Sequence, residues 1–148
     1  MKKLIIVLTT AMLLTTLSAP AQNPEGPGMI LKENWAIKSS AEVKAGGREI
    51  STAGFSTQGW YRTTMPSTIL AALVANNVFP DPYYGTNINK LPGQITNRNR
   101  GIPPDSPFSV AWWYRTEFQL PASYKGKHIW INFHSINYKA NIWLTGNL

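Results

Sequence analysis

Residues 106–147, which read SPFSVAWWYRTEFQLPASYKGKHIWINFHSINYKANIWLTGN, decide the fold class of this chain. From 108 to 120, large apolar side chains alternate with smaller or polar ones, and the same period of two returns over 128–134 and 140–144. Successive side chains of a β-strand point to opposite faces, so the pattern predicts three strands, each with one face in a core. The Lys-Gly-Lys turn at 125–127 separates the first two.

Strands of this length need partners along their free edges, and the sequence offers none after 144. The sequence therefore predicts an incomplete β-sandwich that belongs to a larger protein. Upstream, we expect a strand near 31–40, a glycine turn at 45–47, a short strand at 48–53 and a further element that begins at 60–63.

One helix is predicted, with Ser67 as its N-cap. Its apolar side chains fall on one helical face and are Ile69, Leu70, Leu73 and Val74. The pair Asn76-Asn77 can end the helix in a left-handed turn. The segment that follows, 78–107, carries six prolines and is predicted to be an ordered surface loop, because few interior strand positions tolerate proline.

The first residues have the features of a secretory signal peptide. Lys2-Lys3 precede an apolar run over 4–17, and Ala19 and Ala21 fit a small-x-small cleavage site before Gln22. The alternative is a membrane anchor, but the run is shorter than the about 20 apolar residues that span a bilayer. The predicted organisation is a signal peptide at 1–21, an extended leader at 22–30 and an incomplete sandwich domain at 31–148.

Composition and charge exclude several classes of protein. The chain has no cysteine, which rules out a disulfide framework and a lipid-modified cysteine. Together with the predicted signal peptide, this leads us to expect a secreted or periplasmic protein without a stable membrane anchor. The net charge of +7 raises the question of nucleic acid. The charges are scattered singly, with 98–100 (RNR) as the longest cluster, so a solvated basic surface without a nucleic-acid partner is predicted.

No residue is assigned a catalytic role. Hydrolysis by paired carboxyl groups requires two that flank the scissile bond, and only Asp81 and Asp105 lie in the long loop. Glu117 is expected to form a surface ion pair with Arg115. His128 and His134 would lie about 20 Å apart along a strand, too far to share an ion, so neither a metal site nor a cofactor is predicted.

The loop does carry the chemistry of sugar binding, which combines aromatic rings with polar groups for hydroxyls. Its suitable residues are Asp81, Tyr83, Tyr84, Asn87 and Asn89. Asn and Asp also stabilise turns in ordinary loops, and that purely structural alternative stays open. On the strand that follows, Trp112 is predicted to face the core. Trp113 follows the polar face, so a loop, another domain or a sugar must cover it.

Four blocks in order resemble the N-terminal domain of family 2 glycoside hydrolases, nearest the exo-β-glucosaminidases, with the β-mannosidases next. The blocks are 80–87 (PDPYYGTN), 106–108 (SPF), 112–118 (WWYRTEF) and 137–144 (NYKANIWL). The resemblance implies an all-β fold, a galactose-binding-like jelly-roll β-sandwich with one short helix. It also implies an immunoglobulin-like domain and a (β/α)₈ barrel further along the polypeptide, with both catalytic glutamates on the barrel.

The resemblance also implies roles for individual residues. Asn87 would contact a terminal sugar of a β-linked glycan, and Asp81 would do so beside it. The chemistry of the loop adds Tyr84 to these candidate contacts, and the position of Trp113 on the polar face predicts an interdomain or sugar-facing aromatic. The sequence departs from the family at 145–147 (TGN), where the family usually has Asn-Gly at a hairpin.

Three functions stay open at this point. The first is a domain of a secreted retaining exo-β-glycosidase that acts on terminal β-linked glucosamine or mannose. The second is a stand-alone carbohydrate-binding sandwich, and the third is a structural or adhesion sandwich whose aromatic residues only meet a neighbouring domain.

Overall fold

A three-stranded antiparallel sheet organises the chain. The computed structural model describes residues 28–92 and 103–144. Strands β1 (Trp35–Ser39), β2 (Tyr61–Thr63) and β3 (Trp112–Arg115) form the sheet in the order β2-β1-β3. The strand predicted near 31–40 and the element predicted from 60–63 are thus confirmed.

The helical elements are short. They are the α-helices α1 (Gly47–Ile50) and α2 (Ile69–Ala75), together with single 3₁₀ turns at Ser40–Glu42, Asn87–Lys90 and Ala122–Tyr124. Within the described ranges, no helix is long and apolar enough to cross a membrane.

The core lies against β1, the central strand. Ile37 is fully buried at 0% exposure and is paired with Tyr61 on one side and Tyr114 on the other. Directly opposed residues share a face, so two aromatic side chains flank Ile37. The Tyr61 ring also lies 6.5 Å from the Trp112 ring, which confirms that Trp112 faces this side. The buried apolar residues of the described chain are Ala36, Ile37, Ile50, Ala72, Leu73 and Leu91.

Helix α2 is capped by Thr68, not by Ser67 as predicted, because the Thr68 hydroxyl is the one that accepts from the backbone N–H of Ala71, at 3.1 Å. Its C-terminal end fits the prediction, since Asn77 has a left-handed φ of 59°. The Asn76 side chain binds the backbone of Arg62 on β2, accepting from its N–H at 3.3 Å and donating to its carbonyl at 2.8 Å. This amide therefore joins α2 to the outer edge of β2.

The short strand predicted at 48–53 is wrong, because its first residues belong to α1 and 51–53 form a turn. Gly46 precedes the helix, and its carbonyl accepts from the N–H of Ile50 at 2.9 Å. Ile50 is buried. A run of six residues with few apolar side chains fits a helical turn as well as a strand, so its period could not distinguish them.

The long strand predicted over 108–120 is much shorter in the structure, where only Trp112–Arg115 is a strand. Residues before it form turns, in which the Ser109 hydroxyl donates to the carbonyls of Pro104 and Ser106 at 2.7 and 2.6 Å. The strands predicted at 128–134 and 140–144 are likewise absent from the described structure. A period of two assigns side chains to faces, but a strand exists only where a neighbouring backbone pairs with it.

Several predictions lie outside the described residues. These are the signal peptide at 1–21, most of the leader and the turn at 145–147.

We expect Ile37→Ala to destabilise the fold by about 2–5 kcal/mol, because it removes a fully buried side chain between two aromatic neighbours. Urea denaturation followed by tryptophan fluorescence measures this change. Ile30→Ala is the matched control, since Ile30 is 72% exposed. A similar loss of stability in both variants would contradict β1 as the centre of the core.

Candidate functional site

The segment 80–90, hereafter the tyrosine loop, has an ordered backbone built around Asp81. The Asp81 carboxylate accepts from the N–H of Tyr83 at 2.9 Å, which forms an Asx turn. The Asp81 carbonyl accepts from the N–H of Tyr84 at 3.3 Å and from the side-chain amide of Asn87 at 3.1 Å. Asp81 and Asn87 therefore stabilise the same turn.

Asn87 is held on both sides of its amide. Besides the bond to Asp81, its side-chain oxygen accepts from the Lys90 ammonium at 2.9 Å. A primary amide has two N–H donors and two acceptor lone pairs. One donor and one lone pair of Asn87 are therefore still available, in a fixed orientation, for an external hydroxyl. The structural role anticipated for this residue and a binding role are compatible.

Two tyrosine rings project from this fixed turn. Tyr83 is 96% exposed and Tyr84 is 77% exposed, and Gly85 follows them in the left-handed region at a φ of 54°. Both ends of the loop are anchored. The Phe79 ring lies 6.0 Å from the Phe108 ring, and Leu91 is buried.

The tyrosine loop thus presents flat apolar surface next to polar groups, which suits the face and the hydroxyls of a pyranose. It brings together three of the residues predicted from the sequence, namely Asp81, Tyr84 and Asn87. Their substrate contacts stay predictions. Both histidines are exposed, and no group of three potential metal ligands occurs in residues 28–92 and 103–144.

Trp113 lies apart from the tyrosine loop, on β3, and is half-buried. Trp143 covers it, with the two ring centroids 5.2 Å apart. Trp143 in turn packs on Gly47, where any side chain would collide with the indole ring. The Trp113 indole N–H is buried and has no acceptor among the described residues. The covering residue belongs to this chain, whereas an interdomain or sugar-facing role of Trp113 stays a prediction.

Arg115 joins the sheet to the end of α1 and the turn after it. Its guanidinium donates to the carbonyls of Ile50 and Thr52, both at 2.9 Å, and to the Glu117 carboxylate at 3.0 Å. The ion pair predicted between Arg115 and Glu117 is confirmed. The two carbonyl contacts were not predicted, since they join residues more than sixty positions apart and no local pattern indicates them.

The surroundings of Glu117 favour its charged form. The hydrogen bond from Arg115, then the one from the backbone N–H of Gly54 at 3.1 Å, hold the pKa of the Glu117 carboxyl below its ordinary value. On β3, burial of Tyr114 raises the pKa of its phenol, because desolvation disfavours the charged form.

Because the folded-state pKa of Glu117 is lowered, its stabilisation is present above the unfolded-state pKa and is lost as pH falls through the folded-state pKa. We expect wild type to have a higher urea midpoint than Glu117→Gln at pH 7, and this difference to shrink steadily as the pH falls through the lowered pKa of Glu117. Glu33→Gln is the control, because Glu33 has no ion-pair partner in the described part of the chain. A difference between wild type and Glu117→Gln that is constant with pH would contradict the ion pair as its source.

Comparison with known proteins identifies the family of this chain. The model of the glycosyl hydrolase 2 galactose-binding domain-like family matches residues 35–148. The chain belongs to this family. Its fold is therefore the galactose-binding-like β fold, as predicted, and the sheet and short helices described above are part of it.

Relatives of this family member are long glycosidases. The exo-β-D-glucosaminidase of Amycolatopsis orientalis is 32% identical over 112 residues, which cover 76% of this chain and 9% of the relative. The exo-β-D-glucosaminidase of Hypocrea virens is 33% identical over 116 residues, which cover 76% of this chain and 12% of the relative. The mannosylglycoprotein endo-β-mannosidase of Lilium longiflorum is 28% identical over 121 residues, which cover 80% of this chain and 12% of the relative. The chain thus spans about a tenth of the length of these curated relatives.

Among solved structures, the Amycolatopsis orientalis exo-chitosanase CsxA is similar to this chain. It has a TM-score of 0.47 and 35% sequence identity, covering 60% of this chain and 9% of that one.

Proposed function

We propose that the chain is the N-terminal scaffold and substrate-pocket domain of a secreted, retaining exo-β-glycosidase. Its substrates would be β-linked glycans that end in glucosamine or mannose. The observation that supports this most is the family match over residues 35–148, together with relatives that are exo-β-D-glucosaminidases and a β-mannosidase. The signal peptide predicted at 1–21 directs the protein to the periplasm or the exterior.

In this proposal the tyrosine loop forms one side of the pocket. Asn87 donates its free amide hydrogen to a hydroxyl of the terminal sugar, Tyr84 stacks on the sugar ring, and Asp81 keeps both in position through the turn. The two carboxyl groups that cleave the glycosidic bond belong to the (β/α)₈ barrel of the same polypeptide, which follows an immunoglobulin-like domain. The domain therefore orients substrate and transfers no proton.

The pure chain is expected to hydrolyse neither p-nitrophenyl β-D-glucosaminide nor p-nitrophenyl β-D-mannoside. Several of its carboxylates are already engaged, since Glu117 pairs with Arg115, Glu42 pairs with Lys38 at 2.6 Å and Asp81 caps a turn. Release of p-nitrophenol is the measurement, with the same purification from cells that lack the gene as control. Turnover above that control would contradict a purely non-catalytic domain.

A second function, a stand-alone carbohydrate-binding module, is favoured by the two exposed rings of the tyrosine loop. We then expect the isolated chain to bind short β-linked glucosamine or mannose oligosaccharides, and Tyr84→Ala to weaken the binding about tenfold through loss of stacking. Calorimetric titration measures both.

Tyr138→Ala is the matched control for Tyr84→Ala, because Tyr138 is 100% exposed and lies outside the tyrosine loop. Binding that only the Tyr84 variant loses favours the module. No binding by the isolated chain favours the scaffold, whose pocket needs the barrel. Equal loss in both variants would contradict a role for the tyrosine loop.

A further inference from the structure

A cleft on the sheet is separate from the tyrosine loop and lies between two arginines. Ala36 on β1 is paired with Arg62 on β2 and with Arg115 on β3. Residues directly opposite each other share a face of the sheet, so both arginines flank the small Ala36 side chain. Neighbouring strands are about 4.8 Å apart, which places the two arginine Cα atoms roughly 10 Å apart.

We call this feature the two-arginine cleft. Besides Ala36, it is lined by Asn34, Phe55, Thr57, Arg62, Arg115 and Glu117. Ala36 itself is only 1% exposed, so the open part of the cleft is bordered by polar groups and one aromatic ring.

The two arginines differ in how far they are engaged. The Arg115 guanidinium is bound by two carbonyls and by Glu117, and it lies 5.8 Å from the centre of the Phe55 ring. The Arg62 guanidinium has no hydrogen-bond or ion-pair partner in residues 28–92 and 103–144, although its backbone is fixed by Asn76. Arg62 thus presents a free planar fork of donors from a fixed strand position.

The charges in the cleft do not cancel. Glu117 balances Arg115, and Arg62 leaves one positive charge. A free guanidinium binds a carboxylate through two parallel hydrogen bonds, which is the strongest geometry available to it. The ligand that fits this part of the cleft is therefore an anion with a planar carboxylate.

The remaining lining suits hydroxyl groups. The Asn34 side-chain amide has no partner in the described part of the chain, while its backbone carbonyl accepts from the Thr116 hydroxyl at 3.3 Å and thereby holds its position. Thr57 adds a hydroxyl, and the Glu117 carboxylate is half exposed and keeps lone pairs that face the solvent. These groups can donate to and accept from the hydroxyls of a sugar.

We propose that the two-arginine cleft is a second binding site, for an acidic sugar whose carboxylate pairs with Arg62 and whose hydroxyls bind Asn34, Thr57 and Glu117. The site is independent of the proposed glycosidase pocket, because it shares no residue with the tyrosine loop. A uronate residue has this combination of one carboxylate and several ring hydroxyls.

The test is an NMR titration of the ¹⁵N-labelled full chain with methyl β-D-glucuronide, methyl β-D-glucoside and acetate. We expect the glucuronide to cause saturable shifts of the Arg62 side-chain N–H and of the amide of Gly54, which also lines the cleft and donates to the Glu117 carboxylate. The glucoside and acetate should each bind at least about tenfold more weakly, since the glucoside lacks the carboxylate and acetate lacks the ring hydroxyls. Equal binding of the glucoside would contradict the pairing of the carboxylate with Arg62. Equal binding of acetate would contradict the hydrogen bonds to the sugar hydroxyls.

Arg62→Gln is expected to weaken glucuronide binding by about tenfold or more, because it removes the charge and the paired donors. The Arg62 side chain makes no hydrogen bond or ion pair with residues 28–92 and 103–144, so the unbound spectrum of this variant should stay close to that of wild type. Arg48→Gln, an exposed arginine on α1, is the matched control and should bind as wild type does. Unchanged affinity in Arg62→Gln, or equal losses in both variants, would overturn the proposal.

Discussion

Pairing of β1 on both of its edges is the constraint on which the described structure depends. β1 forms backbone hydrogen bonds with β2 on one side and with β3 on the other, so residues some twenty-five and seventy-five positions away are brought into register with it. That register buries Ile37 between two tyrosines on one face and places Ala36 between two arginines on the other. Core and cleft are therefore two consequences of the same alignment, because successive side chains alternate between the faces.

Hydrogen bonds from side chains to the backbone support the short strands of the sheet. Asn76 bonds the outer edge of β2, and Arg115 reaches from β3 to the carbonyls of Ile50, at the end of α1, and Thr52. Each satisfies backbone groups that regular structure leaves unpaired, which is a requirement for any segment partly removed from water. A sheet of three to five residues per strand is marginal without such contacts. The same interactions fix the positions from which Arg62 and Glu117 face the cleft.

The tyrosine loop is ordered by a different principle, namely hydrogen bonding between neighbouring residues. Asp81, Asn87 and Lys90 bind one another's side chains or backbone over ten positions, and the aromatic rings that they support have almost no contact with the rest of the domain. Rigid support with exposed rings is the arrangement expected of a surface that meets a ligand or another domain. Membership of the glycosyl hydrolase 2 galactose-binding domain-like family is compatible with a bound ligand and with a neighbouring domain at this surface.

The sequence by itself determined the fold class, a strand within 31–40, a helix around 69–75 and the Arg115–Glu117 pair, because these depend on local periodicity and short spacings. Its motifs also indicated the family before any comparison. Only the tertiary structure decided where strands begin and end, since pairing with a distant backbone sets those limits, and thus reduced the strand predicted over 108–120 to four residues. It alone also placed Trp143 against Trp113 and set Arg62 and Arg115 on either side of Ala36, because these placements join residues far apart in the chain, which no local pattern encodes.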